Sequence, residues 1–168
     1  GKSIVCIFLS KIMGELGLVS DSRPLTGTFN NILKNKALVV FEEFPERINS
    51  ASMNHISNQV KNLITMPEFI FEQKYEAAET VKNISNIIIC ANHDIPDSEG
   101  RRIHSLDVNT EYVGDSKFYI NIDTITKKDE VQEAFFNYCL EIDTIGYNER
   151  LYKLSKTKQM DIYSSITP

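Results

Sequence analysis

Apolar residues recur at helical spacing through Ile4, Ile7, Phe8, Ile12 and Leu16, which predicts an amphipathic helix over residues 4–16. The polar stretch Ser20-Asp21-Ser22-Arg23-Pro24 reads as a loop, and residues 28–33 as a short helix. Ala37-Leu38-Val39-Val40-Phe41 is a continuous apolar run of strand length, closed by Glu42 and Glu43. Such a run predicts a strand buried on both faces, as in a parallel sheet. Ser50 or Ser52 caps a predicted helix running through Ile56, Val60, Leu63 and Ile64, and Pro67 stops it. Phe69-Ile70-Phe71 and the region around Val81 flank the charged stretch 72–76, which suggests a hairpin. A second buried strand is predicted over 86–91 and a further strand over 103–108. Val131, Ala134, Phe135 and Tyr138 share one face of a predicted helix over 127–140, and a last helix is predicted over 148–163. The pattern is that of an α/β fold. Sheet signals stop near residues 113–116, so we divide the chain into a core, 1–112, and a mostly helical segment, 113–168.

A chain of 168 residues with 42% hydrophobic and 24% charged residues has the composition of a folded protein, which excludes wholesale disorder. No apolar run approaches the length of a membrane span, and no signal peptide is visible, so an intracellular, non-membrane setting is expected. The net charge of −5 argues against a broad basic surface that coats nucleic acid, but leaves room for a few basic loops that grip a strand. Cys6, Cys90 and Cys139 lie far apart and form no disulfide framework. Cys6 and Cys90 sit in apolar runs and read as buried thiols.

Gly1-Lys2-Ser3 opens the first helix. In a phosphate-binding loop, G-x-x-x-x-G-K-[ST], backbone N–H groups cradle phosphates at a helix N-terminus; the Lys reaches the β/γ-phosphates and the hydroxyl meets Mg²⁺. Only the last three positions stand here, so the chain reads as beginning inside such a loop. Alone, the tripeptide is weak. Forty residues on, Leu38-Val39-Val40-Phe41-Glu42-Glu43 has the form of a Walker B strand, with one acid for Mg²⁺ and one for the attacking water. The next buried strand ends at Asn92, where open α/β sheets bind ligands. Gly100-Arg101-Arg102 then supplies guanidinium groups suited to a developing phosphoryl charge. Each feature alone has a bland reading: a helix start, an acidic loop, a turn residue, a surface basic pair. Their order and spacing give them weight.

Taken together, these motifs resemble a superfamily 3 helicase, the AAA+-related motor of small DNA viruses and of viral and phage primase-helicases. Residues 39–44 match its Walker B; 60–65 through 69–75 resemble its B′ motif; 87–92 resemble motif C, with Asn92 as sensor; and Gly100-Arg101-Arg102-Ile103 resembles its arginine-finger segment, with Arg102 aligning best. The resemblance covers residues 1–110 or so. It implies a P-loop AAA+-like parallel sheet flanked by helices, with a C-terminal helical segment and with the first core strand missing from this chain. It implies ATP and Mg²⁺ held by Gly1, Lys2 and Ser3, with Glu42 and Glu43 at the metal and the water. Arg102, or less well Arg101, would complete a neighbour's site in a hexameric ring. Lys74 and Tyr75 fall at the tip of the B′ hairpin, which in the family contacts single-stranded nucleic acid; many relatives carry His where Tyr75 stands.

The expected function is therefore an ATP-driven helicase motor moving on single-stranded DNA in viral or phage replication, with a fused or associated primase as a possible partner. A fragment without the start of the phosphate loop is expected to hydrolyse ATP poorly or not at all. Two other classes compete: a small P-loop kinase, and a non-catalytic remnant that binds nucleic acid or assembles. The kinase leaves the B′ stretch unexplained. His55, His93 and His104 have no metal-ligand spacing, and no nucleophile elbow supports a Ser-His-Asp triad.

Overall fold

The computed structural model describes residues 2–26, 30–42, 50–72, 74–92, 104 and 106–147. The chain forms two compact units. One is Val5–Pro96; the other combines Gly1–Ile4 with Asp97–Pro168.

Helix α1 spans Lys2–Ile12. It stops short of the expected end because Gly14 takes a left-handed φ of +55° and starts a 3₁₀ turn over Gly14–Leu16. A strand that the sequence pattern did not reveal follows, β1 at Gly17–Ser20. Helix α2, Arg23–Thr26, occupies the expected loop. The Asp21 side chain accepts from the Arg23 amide at 2.9 Å, and Pro24 suits a first turn. Of the short helix expected over 28–33, a 3₁₀ turn at Asn31–Leu33 is observed, and 27–29 lie outside the described residues. Strand β2 is Leu38–Phe41 and helix α3 is Ser50–Thr65, both as the pattern predicts. Strands β3 (Glu68–Phe71) and β4 (Glu79–Lys82) pair antiparallel as the expected hairpin. Strand β5, Asn86–Ile89, ends before Cys90.

Three strands form a parallel sheet in the order β1-β2-β5. Leu38 lies opposite Gly17 and Asn86, and Phe41 opposite Ser20 and Ile89. The central strand is therefore paired on both sides, and among the described residues the outer edge of β5 has no partner strand. Val39, Val40 and Phe41 are 2%, 0% and 0% exposed, so β2 is the core of the unit. Burying each side chain stabilises by about 1.5–3 kcal/mol. Ile56, Val60 and Leu63 line the buried face of α3. At its C-terminal end, Asn83 Nδ2 donates to the carbonyls of Leu63 at 2.9 Å and Met66 at 2.8 Å, satisfying groups that a helix end leaves without partners.

In the other unit, helix α4 (Ser116–Thr126) is capped by Asp115, whose side chain accepts from the Phe118 amide at 3.0 Å. Helix α5 is Asp129–Glu141. Of the strand expected over 103–108, the described residues 104 and 106–108 carry no regular structure, and 103 and 105 lie outside the described residues. Leu106 and Val108 are exposed, and Asn109 turns the chain by accepting from the Glu111 amide at 2.8 Å. The helix expected over 148–163 lies outside the described residues. Among the described residues, no helix is long and apolar enough to cross a membrane.

Candidate functional site

Parallel pairing sends every strand of the sheet toward one carboxyl edge, and there the ladder runs one residue beyond the strands. The Glu42 amide donates to the Ser20 carbonyl at 2.8 Å, and the Cys90 amide to the Phe41 carbonyl at 2.9 Å. Glu42 is thus fixed at the end of the most buried strand. Its Oε1 is shielded from solvent and has no hydrogen-bond partner among the described residues. A carboxylate oxygen withdrawn from water without a donor is costly, unless a cation, a water or a bound group meets it. Asn92 leaves the neighbouring strand at the same edge and is exposed.

Helix α1 packs along the sheet, from its carboxyl edge to its amino edge. Its Ser10 carbonyl lies so close to Gly17, at the start of β1, that a Cβ there would sit 2.1 Å from the oxygen. Only glycine admits that approach. One turn earlier, Cys6 Sγ stands 3.4 Å from Cys90 Sγ, past the end of β5. From Cys6 to Ser10 the helix therefore runs antiparallel to the strands. Lys2 is its first residue, one turn before Cys6, and Ser3 is exposed.

Burial pushes the Cys6 thiol up to about 12; its hydrogen bond with Cys90 and the charges of Cys90 and Glu42 add to the shift. Cys6 is a packed, protonated thiol and not a nucleophile, and it feels the Glu42 carboxylate. Cys90 is buried as expected, while Cys139 is exposed.

Lys74 and Tyr75 belong to a different surface, the turn of the β3–β4 hairpin, which is a separate two-stranded sheet. The hairpin is anchored at its root. Asn30 mimics a neighbouring strand, donating to the Ile70 carbonyl at 3.3 Å and accepting from the Glu72 amide at 3.1 Å, and Lys34 pairs with Glu79. A cavity of about 140 Å³ near this root, lined by Leu33, Asn62, Met66 and Ile70 among others, is too small for a nucleotide and lies away from the carboxyl edge. At the tip, Tyr75 is 91% exposed in a left-handed conformation, φ +69°, with Lys74 Nζ 4.8 Å from its ring centre. The tip presents a cation and an aromatic face together.

Gly1, Glu43, Arg101 and Arg102 lie outside the described residues, as does His93. Among the described residues, no group of three His, Cys, Asp or Glu side chains could hold a metal. Two features escaped the sequence reading. Ser20 positions Glu42 through its backbone, and only Leu18-Val19 hinted at its strand. Asp21, which follows that strand, forms an ion pair with Arg23 at 2.7 Å.

A family profile described as a family of unknown function, DUF5906, matches residues 1–102. Among solved structures, the chain is similar to the apo C-terminal region of NrS-1 (305–718), with TM-score 0.72 and 23% identity, covering 100% of this chain and 40% of that one. An A form of the same region gives TM-score 0.70 and 21% identity over 98% of this chain and 39% of that one. A further A form gives 0.60 and 25% over 85% and 33%. The chain thus spans at most 40% of those structures, and the likeness is one of fold. No curated protein matches the chain.

Proposed function

The chain belongs to the DUF5906 family, and we propose that it forms part of an ATP-driven motor acting on single-stranded DNA in viral or phage genome replication. One observation carries this reading: the buried oxygen of Glu42, without a hydrogen-bond partner among the described residues, at the carboxyl end of the central parallel strand, with Asn92 leaving the adjacent strand at the same edge. An orphaned carboxylate oxygen is where a hydrated divalent cation would be welcomed. Glu42 would hold magnesium, and the resemblance of the Gly1-Lys2-Ser3 stretch to a phosphate loop assigns the phosphates to Lys2 and Ser3. Magnesium-ATP would supply the scissile phosphoanhydride.

The roles of this chain's residues follow. Glu42 would hold the cation or its water in a fixed position, because strand pairing has already immobilised its backbone. Asn92 has the amide to orient the γ-phosphate or the attacking water. Glu43 would assist at the water, and Arg102, or Arg101, would act on a neighbour's nucleotide in a hexameric ring. Lys74 would contact backbone phosphate, and Tyr75 would stack on a base. One cationic tip per subunit can grip a strand although the chain as a whole is acidic. An associated or fused primase fits this role, as does an intracellular site of action.

The test is ATP hydrolysis by the protein, with and without single-stranded DNA. DNA should stimulate hydrolysis, and Glu42→Gln should lower the rate at least about a hundredfold while leaving the fold intact. ATP turnover that ignores DNA and moves the γ-phosphoryl group to a small metabolite, instead of to water, would replace the motor with a kinase. A Glu42→Gln protein of full activity would sink both.

A further inference from the structure

The α4–α5 segment has a surface that the proposed motor does not use. Neither helix contains a buried residue. Ile120 is 66% exposed, Phe136 41%, Tyr138 62% and Leu140 68%. Helices of 11 and 13 residues are marginal without an apolar face to bury, and among the described residues these two bury none. The segment is also where the charge of the chain resides. Residues 106–147 hold nine acids and three lysines, a net charge of −6, whereas the whole chain is −5; the remainder is therefore +1. Two of the three lysines pair within the segment, Lys127 with Asp123 at 2.5 Å and Lys128 with Glu130 at 3.8 Å. On α5, the 3.6-residue period brings Asp129, Glu133, Phe136 and Leu140 onto one stripe, acidic in its first half and apolar in its second. Among the described residues, Glu133 makes no ion pair.

We propose that this stripe is a docking surface for a basic amphipathic helix of a protein partner. The occupant's apolar side covers Phe136 and Leu140, and its lysines or arginines meet Asp129 and Glu133. Nucleic acid is a poor occupant, because its phosphates would face a net charge of −6. The same segment of a second copy is a poor one for the same reason: the two acidic stripes would repel.

The experiment uses the full chain and a fluorescent 18-residue peptide of leucine and lysine at helical spacing, with a leucine–glutamate peptide as its counterpart, read by anisotropy. The lysine peptide should bind at least about tenfold more tightly than the glutamate peptide and should weaken as salt rises. Phe136→Asp and Glu133→Lys should each weaken it about tenfold with an unchanged circular-dichroism spectrum. Equal affinity for both peptides, no binding, or binding indifferent to both substitutions overturns the proposal. So does a dimer that Phe136→Asp dissolves, which would assign the face to a second copy.

Discussion

The carboxyl edge of the sheet and the tip of the β3–β4 hairpin lie in the same unit and solve opposite problems. At the edge, Glu42 follows a strand whose residues are nearly all sealed from water, and its backbone is clamped to Ser20. At the tip, Tyr75 is 91% exposed and its backbone takes a conformation that few non-glycine residues adopt. Phosphate chemistry needs groups that are already in place and partly desolvated, because reorganisation at the moment of reaction costs rate. Gripping a flexible strand needs reach and exposed contact surface, and it needs rigidity only at the root. The Asn30 and Lys34 contacts supply that rigidity at the hairpin base. Precision at one place and reach at the other are compatible because separate sheets carry them.

The largest test of this contrast is the truncation of two aromatic residues. Phe41→Ala should cost about 3–5 kcal/mol in urea denaturation, because the cavity opens in the centre of the sheet. Next in size is the separation of functions. On the proposed motor reading, Lys74→Ala should reduce DNA unwinding at least about tenfold while basal ATP hydrolysis stays within about twofold, since the substitution removes the proposed phosphate contact and leaves the edge untouched. Equal loss of both activities would mean that the tip and the edge are not separable.

A smaller effect sits behind the edge. Burial, first among the causes, pushes the Cys6 thiol from the ordinary thiol range up to about 12. A group whose pKa is raised on folding holds its proton more tightly in the native state. Its stabilising contribution is therefore complete below about pH 9 and drains away as pH climbs toward about 12. Thermal melts between those values should fall more steeply for the parent chain than for Cys6→Ala. Parallel slopes would remove Cys6 from the account. The smallest effect closes the aromatic pair: Tyr75→Ala should change stability by less than about 0.5 kcal/mol, as for most exposed positions. A loss comparable to that of Phe41→Ala would show the tip to be packed.

How much of this could be read in the sequence varied with the signal each element carries. The run Leu38–Phe41 announced β2, because a strand buried on both faces must be apolar at every position. The period of Ile56, Val60 and Leu63 announced α3. Strand β1 has only two apolar residues between Gly17 and Ser20, and its half-buried position owes more to its neighbour than to its own composition. Leu106 and Val108 misled for the converse reason: they alternate suitably, but both are exposed, and alternation without a buried face does not hold a strand. Glu42 and Asn92 were legible as strand-end residues. The withdrawn oxygen on Glu42 was not, since burial of a single atom depends on what packs around it.

By itself, the sequence determined which segments are apolar enough to build the core, and it placed a carboxylate and an amide directly after two of them. Only the tertiary structure decided that those segments are parallel neighbours, that their ends share one edge, and that Cys6 and Cys90 meet behind Glu42. The reason is physical. Local pattern fixes which face of an element avoids water, because that depends on the residues of the element alone. Register, adjacency and the burial of one oxygen depend on residues far apart in the chain, and these come together only when the whole core closes.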